Sequence, residues 1–506
     1  MSRSLTHPHV SPLSSIVARV LMGGAIAALA LGASPTLAES LFHPGPSLDP
    51  VGFDGYFMPE LAMRPGYTAG SGYGVAAIQR AVNGSGIGKH GLIWDANGYS
   101  ELGGLGFDAN GHYNSFAYAT NGTGTIVGNA SMYNSSQQER GNRPVRWDPG
   151  STTAVELESL GTDASGWSFN QAVAVNSSGM IAGHGSKYTD GMDRGWRVMR
   201  WAPGSTAVTE LGTLGTNNSG STYNYAMRMN DAGTIVGRGA KWVDGSMCGF
   251  RAIRWDADNT AAIELGNLGL SSYGSTDAKT TDINNSGTIV GEASLYDSGD
   301  YLGVRAVRWD AGGTTATDLG CLGTDGSGMG TSTAMTINDA GIIAGTSAKY
   351  DPTGASRGTR AVRWDAGSTD PIELAVLDEN SDGQGSATVN DINSDGYIVG
   401  SSMTYTEDYP ALRNHAVMWT PDDVLVDLNS LLDPDSPWVL SWAAAISDDG
   451  WITGIGYYDA DGTLPMDAGT SYERLFLMQV PEPSTVAMLA LGGLLLARRR
   501  GGRAVA

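Results

Sequence analysis

Several residue types that mark common protein classes are scarce in this chain of 506 residues. It has only two cysteines, Cys248 and Cys321, which cannot supply a four-ligand zinc site; whether they bond to each other stays open. Lys and Arg total 30 against 52 Asp and Glu, and the net charge of −22 argues against a nucleic-acid partner, because such binding needs basic patches. We expect neither a nucleophile elbow of the Gly-x-Ser-x-Gly kind nor a His-Glu-x-x-His zinc motif. We therefore predict a protein that is not an enzyme.

The most informative feature that is present is a tryptophan that ends an Arg-rich segment and recurs almost periodically. The interval is 53 to 55 residues, in the range of one supersecondary unit of a repeat protein. The chain must therefore be interpreted as an array of similar units before any single motif is considered. The tryptophans are Trp94, Trp147, Trp201, Trp255, Trp309, Trp364 and Trp419.

Each unit has the pattern of four short strands separated by turns and shows no helical periodicity. In one unit these segments are 172–176, 180–188, 196–201 and 208–212. Such units predict an all-β protein, a β-propeller of seven or eight four-stranded blades, because each polar sheet is stabilised by packing on its neighbours. Eight blades are favoured, with 50–61 as a candidate for closing the ring. A linear β-solenoid is the alternative fold.

The first and last units depart from this pattern. If Asn83 forms the first turn of its unit, the hairpin is shortened, since Asn83 lies 11 residues before Trp94 whereas Asn176 lies 25 before Trp201. The last unit lacks a Glu-Leu-Gly strand after 475–478. These departures leave the number of blades open between seven and eight.

The strand order predicts which loops share one face of the ring. The turns from strand 1 to 2 and from strand 3 to 4 are short and lie together, so the loops from strand 2 to 3 and from strand 4 to 1 form the opposite face. We expect these latter loops to be the longer ones and to hold any ligand site, because binding residues concentrate on variable loops. The candidate ligand-face residues are Tyr188, Tyr296, Tyr350 and Tyr405.

The recurring Arg and Trp residues have a structural interpretation. Alternation places Arg305, Val307 and Trp309 on one face of their strand, with Ala306 and Arg308 on the other. We expect Arg308 to form an ion pair between blades, with Asp310 or Asp318 as its partner. No histidine is expected to recur in phase with the repeat.

One acidic segment resembles a calcium loop. Residues 378–383 alternate oxygen-bearing side chains and end in glycine, but the glutamate that would complete an EF-hand is absent. We expect turn chemistry here and no cofactor, with calcium as a weak alternative.

Both termini have the composition of targeting segments. Residues 1–38 have basic residues, an apolar run at 20–31 and a small-residue cleavage site at 36–38, as in a secretory signal peptide. The C-terminus has an extended proline segment at 480–485, an apolar stretch at 486–497 and an arginine cluster, which together predict transient anchoring through a C-terminal helix.

This C-terminal tail resembles the PEP-CTERM sorting signal of exported bacterial proteins. The resemblance implies recognition by an exosortase-type membrane protease and a Gram-negative producer with a membrane-anchored precursor that later reaches the cell surface or the medium. The residues that carry it are Val480, Pro481, Glu482, Pro483, Ser484, Arg498, Arg499 and Arg500.

The repeats resemble the HAF family of probable extracellular repeats, which is named for a His-Ala-Phe triplet before the tryptophan. The nearest match is His415-Ala416-Val417. Four segments are predicted: the signal peptide (1–38), a lead-in (39–74), the repeat domain (75–479) and the sorting segment (480–506). The expected function is a cell-surface or matrix interaction module whose partner is an extracellular polysaccharide. A glycan-active propeller enzyme and a purely structural matrix protein are the alternatives.

Overall fold

A computed structural model describes residues 42–44, 74–82, 85–95, 98–405, 414–458 and 472–479 of this chain. The described residues form 31 β-strands and one short 3₁₀ helix, Leu428–Leu431, so the protein is all-β. Their strands make six sheets, one of which has twelve strands drawn from three consecutive units. The predicted segments 1–38 and 480–506, and the candidate ring-closing segment 50–61, lie outside the described residues.

The strands fall into eight units, which we call repeats 1 to 8. The strands of repeats 1 to 4 are, in chain order, Gly74–Val82, Ser85–Asp95 and Gly98–Leu102; Ser115–Thr120, Ile126–Tyr133, Glu139–Trp147 and Ala154–Glu156; Ser168–Val175, Ile181–Thr189, Met192–Trp201 and Val208–Glu210; Thr222–Met229, Ile235–Val243, Ser246–Trp255 and Ile263–Glu264. Those of repeats 5 to 8 are Ala278–Ile283, Ile289–Asp297, Asp300–Trp309 and Ala316–Asp318; Ser332–Ile337, Ile343–Tyr350, Ser356–Trp364 and Ile372–Glu373; Ala387–Ile392, Ile398–Met403, Asn414–Trp419 and Leu425–Asp427; Trp438–Ile446, Trp451–Tyr458, Tyr472–Gln479 and, from the N-terminus, Phe42–Pro44.

Strands pair mainly within their own repeat, in the antiparallel order 1-2-3-4. In repeat 3, for example, Ile181 of strand 2 lies opposite both Val175 of strand 1 and Trp201 of strand 3. Pairing between repeats is confined to short parallel contacts, such as Gly195 with Thr222. A solenoid would instead pair each strand with the next coil, so this pattern favours separate sheets that pack on one another.

The apolar core is divided into clusters that each lie between two consecutive repeats. Trp309 and Val307 pack with Val236 of repeat 4, whereas Ala306 packs with Val362 of repeat 6. Successive residues of one strand therefore contact opposite neighbours, as the alternation predicts.

The periodic tryptophans of repeats 2 to 7 also donate a hydrogen bond to the repeat before them. The indole Nε1 of Trp309 donates to the carbonyl oxygen of Gly266 at 3.0 Å. Equivalent carbonyls accept this bond in the other repeats, except that the acceptor of Trp364 is Leu319, one position earlier. This side chain therefore fixes the spacing of neighbouring sheets as well as filling the space between them. The other donors are Trp147, Trp201, Trp255, Trp364 and Trp419.

A ladder of side-chain amides joins the turns between strands 1 and 2. In each turn the asparagine Oδ1 accepts backbone N–H groups of its own turn, as Asn284 does from Thr288 at 2.9 Å. Its Nδ2 donates to the equivalent carbonyl of the next repeat, as Asn284 does to Asn338 at 3.1 Å. One residue type therefore shapes the turn and links neighbouring repeats. The ladder runs through Asn121, Asn176, Asn230, Asn284, Asn338, Asn393 and Ser447.

The N-terminal strand completes repeat 8. Phe42 lies opposite Met478 and Pro44 opposite Phe476, so Phe42–Pro44 takes the place of the missing Glu-Leu-Gly strand. A strand from near the start of the chain thereby holds its last sheet. The sequence did not suggest this pairing.

The interpretation of Asn83 as a first turn is wrong. Gly74 lies opposite Trp94 in repeat 1, just as Ile181 lies opposite Trp201 in repeat 3. Gly74–Val82 is therefore the equivalent of strand 2, and Asn83 lies between strands 2 and 3. Three strands of repeat 1 are within the described residues, and the hairpin is not shortened.

In repeats 1 to 6, glycine is required six residues before the tryptophan. At Gly303 the backbone φ is +104°, and an added Cβ would lie 2.1 Å from the carbonyl oxygen of Gly330 in the next repeat. Both the conformation and the close approach exclude a side chain. This contact brings strand 3 of one repeat beside strand 1 of the next.

The expected pairing of Arg308 is confirmed in one respect and wrong in another. Its Nε donates to Asp310 at 2.8 Å, but that carboxylate belongs to the same repeat. The contact between repeats is a bond from Nη1 to the carbonyl of Ser368 at 3.3 Å, and Asp318 instead accepts a bond from the backbone of Gly320. An ion pair between repeats does occur at the equivalent arginine of repeat 6, Arg363, whose Nε lies 2.6 Å from Asp423.

Candidate ligand face

The loops from strand 2 to 3 and from strand 4 to 1 lie on one side of the molecule, which we call the loop face. Strand 3 of one repeat and strand 1 of the next run parallel where they touch, so consecutive repeats keep the same orientation. Strand 4 to 1 loops also pack on the following strand 2 to 3 hairpin where both are described: a Cβ on Gly299 would lie 3.2 Å from the backbone of Ser272. The predicted division of the loops between two faces is therefore confirmed.

The prediction that all strand 2 to 3 loops are long is wrong for repeat 1 and for repeats 3 to 5. Thr189 lies opposite Met192, and two residues, Asp190 and Gly191, connect the strands with φ of 52° and 72°. Positive φ at both positions is the hairpin turn that matches the twist of antiparallel strands, and Asp-Gly is its typical sequence. The loop of repeat 6 is longer, with 351–355 between its strands.

Many of the loops on this face, and those of the opposite face, use the same five-residue turn. Asp163 accepts hydrogen bonds through Oδ1 from the backbone N–H groups of Ser165 and Trp167 at 2.8 Å. The Ser165 hydroxyl also donates to this oxygen and, with the backbone bonds, lowers the pKa of Asp163. The acidic side chains of such loops are thus occupied in holding their own backbone.

The four predicted tyrosines share a single repeat position at the loop-face end of strand 2. All four are half-buried. The backbone N–H of Tyr188 donates to the carbonyl of Leu160 in the preceding repeat at 2.9 Å, and Tyr296 makes the same bond to Leu268. Tyr405 instead donates to the carboxylate of Asp378.

These tyrosines are thus part of the contact between repeats as well as of the loop face. Burial raises the pKa of Tyr188, and the carboxylates of Asp193 and Asp163 raise it further. Whether the tyrosines contact a ligand stays a prediction. The same repeat position holds Tyr133 and Trp242, which the sequence analysis did not single out.

A set of exposed apolar side chains is concentrated on the loop face. Tyr273 is 94% exposed, and no sequence pattern had identified it. Most exposed large apolar residues of the described chain lie on this side, at loops or strand ends, while Val424 lies on the opposite face. The members on the loop face are Phe107, Trp167, Met192, Tyr223, Val243, Met247, Leu270, Tyr273, Tyr301 and Met329.

The expectation that no histidine recurs in phase is wrong. His90 and His415 both lie four residues before their tryptophan, where other repeats have arginine. His90 Nδ1 lies 2.9 Å from Glu101 and His415 Nδ1 lies 2.8 Å from Asp427. The equivalent arginines pair with the same strand-4 acid in four further repeats, through Arg143, Arg197, Arg251 and Arg360. These histidines therefore occupy a structural ion-pair position.

The possible calcium segment and the cysteines show no converging ligands. Asp378 accepts backbone bonds from Glu379 and Tyr405, and the Glu379 carboxylate lies 2.8 Å from Arg360. In the described part of the chain, no group of three His, Cys, Asp or Glu side chains could hold a metal ion. Cys248, which lies in strand Ser246–Trp255, and Cys321 are both free thiols.

One expectation about motifs was wrong in detail. Residues 354–358 do have the Gly-x-Ser-x-Gly spacing. A nucleophile elbow places its serine on a turn between a strand and a helix. Here Ser356 is the first residue of strand Ser356–Trp364, and its hydroxyl accepts a bond from the backbone of Gly358 at 3.3 Å. This match is part of a hairpin.

The C-terminal residues carry the clearest relationship to known proteins. Residues 479–501 match the PEP-CTERM protein-sorting motif. The match supports an exported protein that is made as a membrane-anchored precursor and is sorted through its C-terminus by machinery of the exosortase type. No helix within the described residues is long and apolar enough to cross a membrane. No curated protein matches the chain.

Solved structures with a similar fold include propellers. The Dos1 propeller is 11% identical, with a TM-score of 0.36, and the match covers 87% of this chain and 96% of that one. Polysaccharide lyase Uly1 is 11% identical, with a TM-score of 0.35, covering 77% and 97%. Puromycin hydrolase is 14% identical, with a TM-score of 0.37, covering 84% of this chain and 63% of that one. The chain therefore spans less than two thirds of the length of puromycin hydrolase.

Proposed function

We propose that the eight repeats close into an eight-bladed propeller that acts outside the cell as a polysaccharide-binding module. Two observations support closure of the ring. Every consecutive pair from repeat 1 to repeat 8 packs through an apolar cluster. Strand Phe42–Pro44 pairs with repeat 8 and so joins the start of the chain to its last sheet. A closed ring would also leave only short strand edges exposed. His90 and His415, at the first position of the family triplet, support the assignment to HAF-type repeats.

Closure can be tested by imaging the full-length protein, purified in a mild detergent, by negative-stain electron microscopy. We expect ring-shaped particles with eight peripheral lobes. An elongated particle would exclude the ring, and seven lobes would exclude the eighth blade.

The exposed aromatic residues of the loop face carry the functional part of the proposal. Trp167, Tyr223, Tyr273 and Tyr301 present their rings to solvent on one side of the molecule. Monomeric proteins rarely leave a large apolar patch uncovered unless it binds something. Flat rings can stack on the apolar faces of sugar units while the surrounding hydroxyl, amide and carboxylate groups bind sugar hydroxyls. The sorting motif supports an exported protein, and polysaccharide is an accessible partner for a protein that acts outside the cell.

The test is retention of the full-length protein on the producer's extracellular polysaccharide. We expect a variant with Tyr223→Ala, Tyr273→Ala and Tyr301→Ala to bind at least about ten-fold more weakly, a loss of about 1.4 kcal/mol. Val424→Ala, which also removes an exposed apolar side chain but lies on the opposite face, should bind normally. Equal binding of both variants would contradict the loop-face assignment.

The same samples should be followed for new reducing ends. We expect retention without cleavage, because the proposed role is binding. Cleavage of the polysaccharide would establish the enzyme alternative instead. Alanine variants of the predicted residues Tyr296, Tyr350 and Tyr405 can be measured in parallel, and normal binding by all three would remove them from the ligand site.

A further inference from the structure

An open pocket of about 430 Å³ lies on the loop face between repeats 1 and 2. It is lined by one aromatic ring, three groups that are uncharged and polar, and one charge of each sign. The pocket is formed by strand 3 of repeat 1 and by the loop-face ends of strands 1 to 3 of repeat 2. The lining side chains are Lys89, Asn114, Phe116, Ser131, Glu139 and Asn142.

Hydrogen bonds hold the polar part of the pocket in place. The Ser131 hydroxyl lies 3.2 Å from Glu139 Oε1 and 3.1 Å from Asn142 Oδ1. Asn114 Oδ1 accepts the backbone N–H of Lys89 at 2.8 Å, which fixes repeat 1 against repeat 2. These contacts leave the Glu139 carboxylate exposed and able to accept further hydrogen bonds.

The Phe116 ring of the pocket lies beneath the side chain of Lys89. Lys89 Nζ lies 5.6 Å from the centre of the Phe116 ring. A lysine at this distance gains about 0.5–1 kcal/mol when exposed, so an incoming ligand can displace it at small cost. The ring, the ammonium group and the carboxylate then offer a stacking surface, a donor and an acceptor within one concavity.

Comparison with repeat 3 shows how the residue at this position opens or fills the space. Lys89 lies five residues before Trp94, and the equivalent residue of repeat 3 is Trp196. The Trp196 ring packs on Tyr225, the equivalent of Phe116, with 5.3 Å between ring centres. His184 also packs on Trp196, and burial lowers the pKa of His184 to about 4. In repeat 3 this position is thus filled by aromatic side chains, whereas in repeat 1 lysine leaves it open.

We propose that this pocket binds one neutral hexopyranose unit of the polysaccharide. The opposite charges of Lys89 and Glu139 balance, so an acidic sugar would gain an attraction to one and a repulsion from the other. A neutral sugar can stack on Phe116 while its hydroxyls donate to Glu139 and accept from Lys89 and Asn142. This inference rests on the proposed polysaccharide function and assigns one sugar subsite within the loop face.

The test uses the full-length protein with the methyl glycosides of glucose, galactose and mannose, and with glucuronate, in ligand-observed NMR titrations. We expect at least one hexoside to bind, and glucuronate to bind more weakly. Lys89→Trp, which reproduces the residue of repeat 3, should weaken hexoside binding at least about ten-fold by filling the pocket. Thr359→Trp is the matched control, because Thr359 holds the same repeat position in repeat 6 and is exposed.

The outcomes separate the pocket from the wider function. Circular dichroism and thermal unfolding should first show that both variants keep the fold, and a Glu139→Gln variant provides a second test if Lys89→Trp does not fold. Equal hexoside affinity of wild type and the folded pocket variants, preference for glucuronate, or no binding of any of the four sugars would overturn the proposal. Polysaccharide retention without a pocket effect would refute only the pocket. Hexoside binding without retention on the polysaccharide would refute the proposed polysaccharide-binding function but not the sugar pocket.

Discussion

Replacing Trp309 with alanine is expected to lower the free energy of unfolding by about 3–5 kcal/mol. The side chain is 0% exposed and contacts apolar residues of both repeats 4 and 5. Its removal leaves a cavity between two sheets, which rigid neighbours fill only in part. It also leaves the carbonyl of Gly266 without its indole donor. The measurement is equilibrium urea unfolding of the full-length protein, followed by tryptophan fluorescence and circular dichroism.

Two further variants separate packing from the hydrogen bond. Trp309→Phe retains most of the packing and loses the donor, so we expect a loss of about 1–3 kcal/mol for the unsatisfied carbonyl and the smaller ring. Trp167→Ala removes an exposed tryptophan and should change stability by less than about 0.5 kcal/mol. A loss at Trp309→Ala as small as that at Trp167→Ala would show that the interfaces between repeats are not the source of stability.

The unfolding curves also report on cooperativity along the array. In a linear array each repeat interacts only with its neighbours, so loss of one interface should produce two separate transitions. In a closed ring the other seven interfaces still join all eight repeats into one continuous array, and we expect a single transition at lower denaturant. Two resolved transitions in Trp309→Ala would therefore count against ring closure as well.

The sequence was sufficient to predict most of the repeat core. A period of 54 residues and strict alternation around Trp309 correctly predicted the antiparallel order and the two opposite packing faces. These local patterns are visible in the sequence because every repeat uses the same residue positions for the same contact. The Asp190-Gly191 turn was missed although its dipeptide is a hairpin signal, because the polar residues that follow it resemble a longer loop.

Other features depend on contacts that no local pattern encodes. Phe42–Pro44 is three residues long, and its partner strand lies at the far end of the chain. The sequence pattern also does not predict what fills the space between two neighbouring repeats. Lys89 and Trp196 occupy the same repeat position, yet Lys89 lines a pocket and Trp196 packs on a tyrosine. The residue at this position and its partners in the neighbouring repeat together decide which occurs. The candidate site therefore required the structure, whereas the repeat frame could be predicted from the sequence.

Replacing Arg360 with methionine is expected to lower the free energy of unfolding by about 3 kcal/mol. The arginine is completely buried, and its guanidinium group bonds to the carboxylates of Glu373 and Glu379 and to the carbonyl of Arg357. It also donates to the carbonyl of Gly385 in the loop that leads into repeat 7. Methionine keeps the volume of the aliphatic part but leaves these acceptors without a donor. The value lies at the lower end of the range for a broken buried ion pair, because both glutamates are partly exposed and Glu373 keeps its contact with Lys349.

Arg360→Lys distinguishes charge from geometry. Lysine retains the positive charge, but its single ammonium group cannot reach acceptors on several sides as a planar guanidinium does. We therefore expect Arg360→Lys to recover less than half of the stability lost in Arg360→Met. Arg357→Met is the control, since Arg357 forms a partly exposed ion pair with Asp351 and should cost about 0–1 kcal/mol.

The decisive observation is which residues lose protection from hydrogen exchange in Arg360→Met. Because the guanidinium group joins strand 3 of repeat 6 to the loop before repeat 7, hydrogen exchange in Arg360→Met should accelerate mainly at 380–385 and in the adjacent strand ends. Faster exchange spread evenly over all repeats would mean that the arginine contributes only to global stability. Exchange confined to this junction would show that the buried arginine of repeat 6 holds the neighbouring part of the loop face locally, without contributing to the distant repeats.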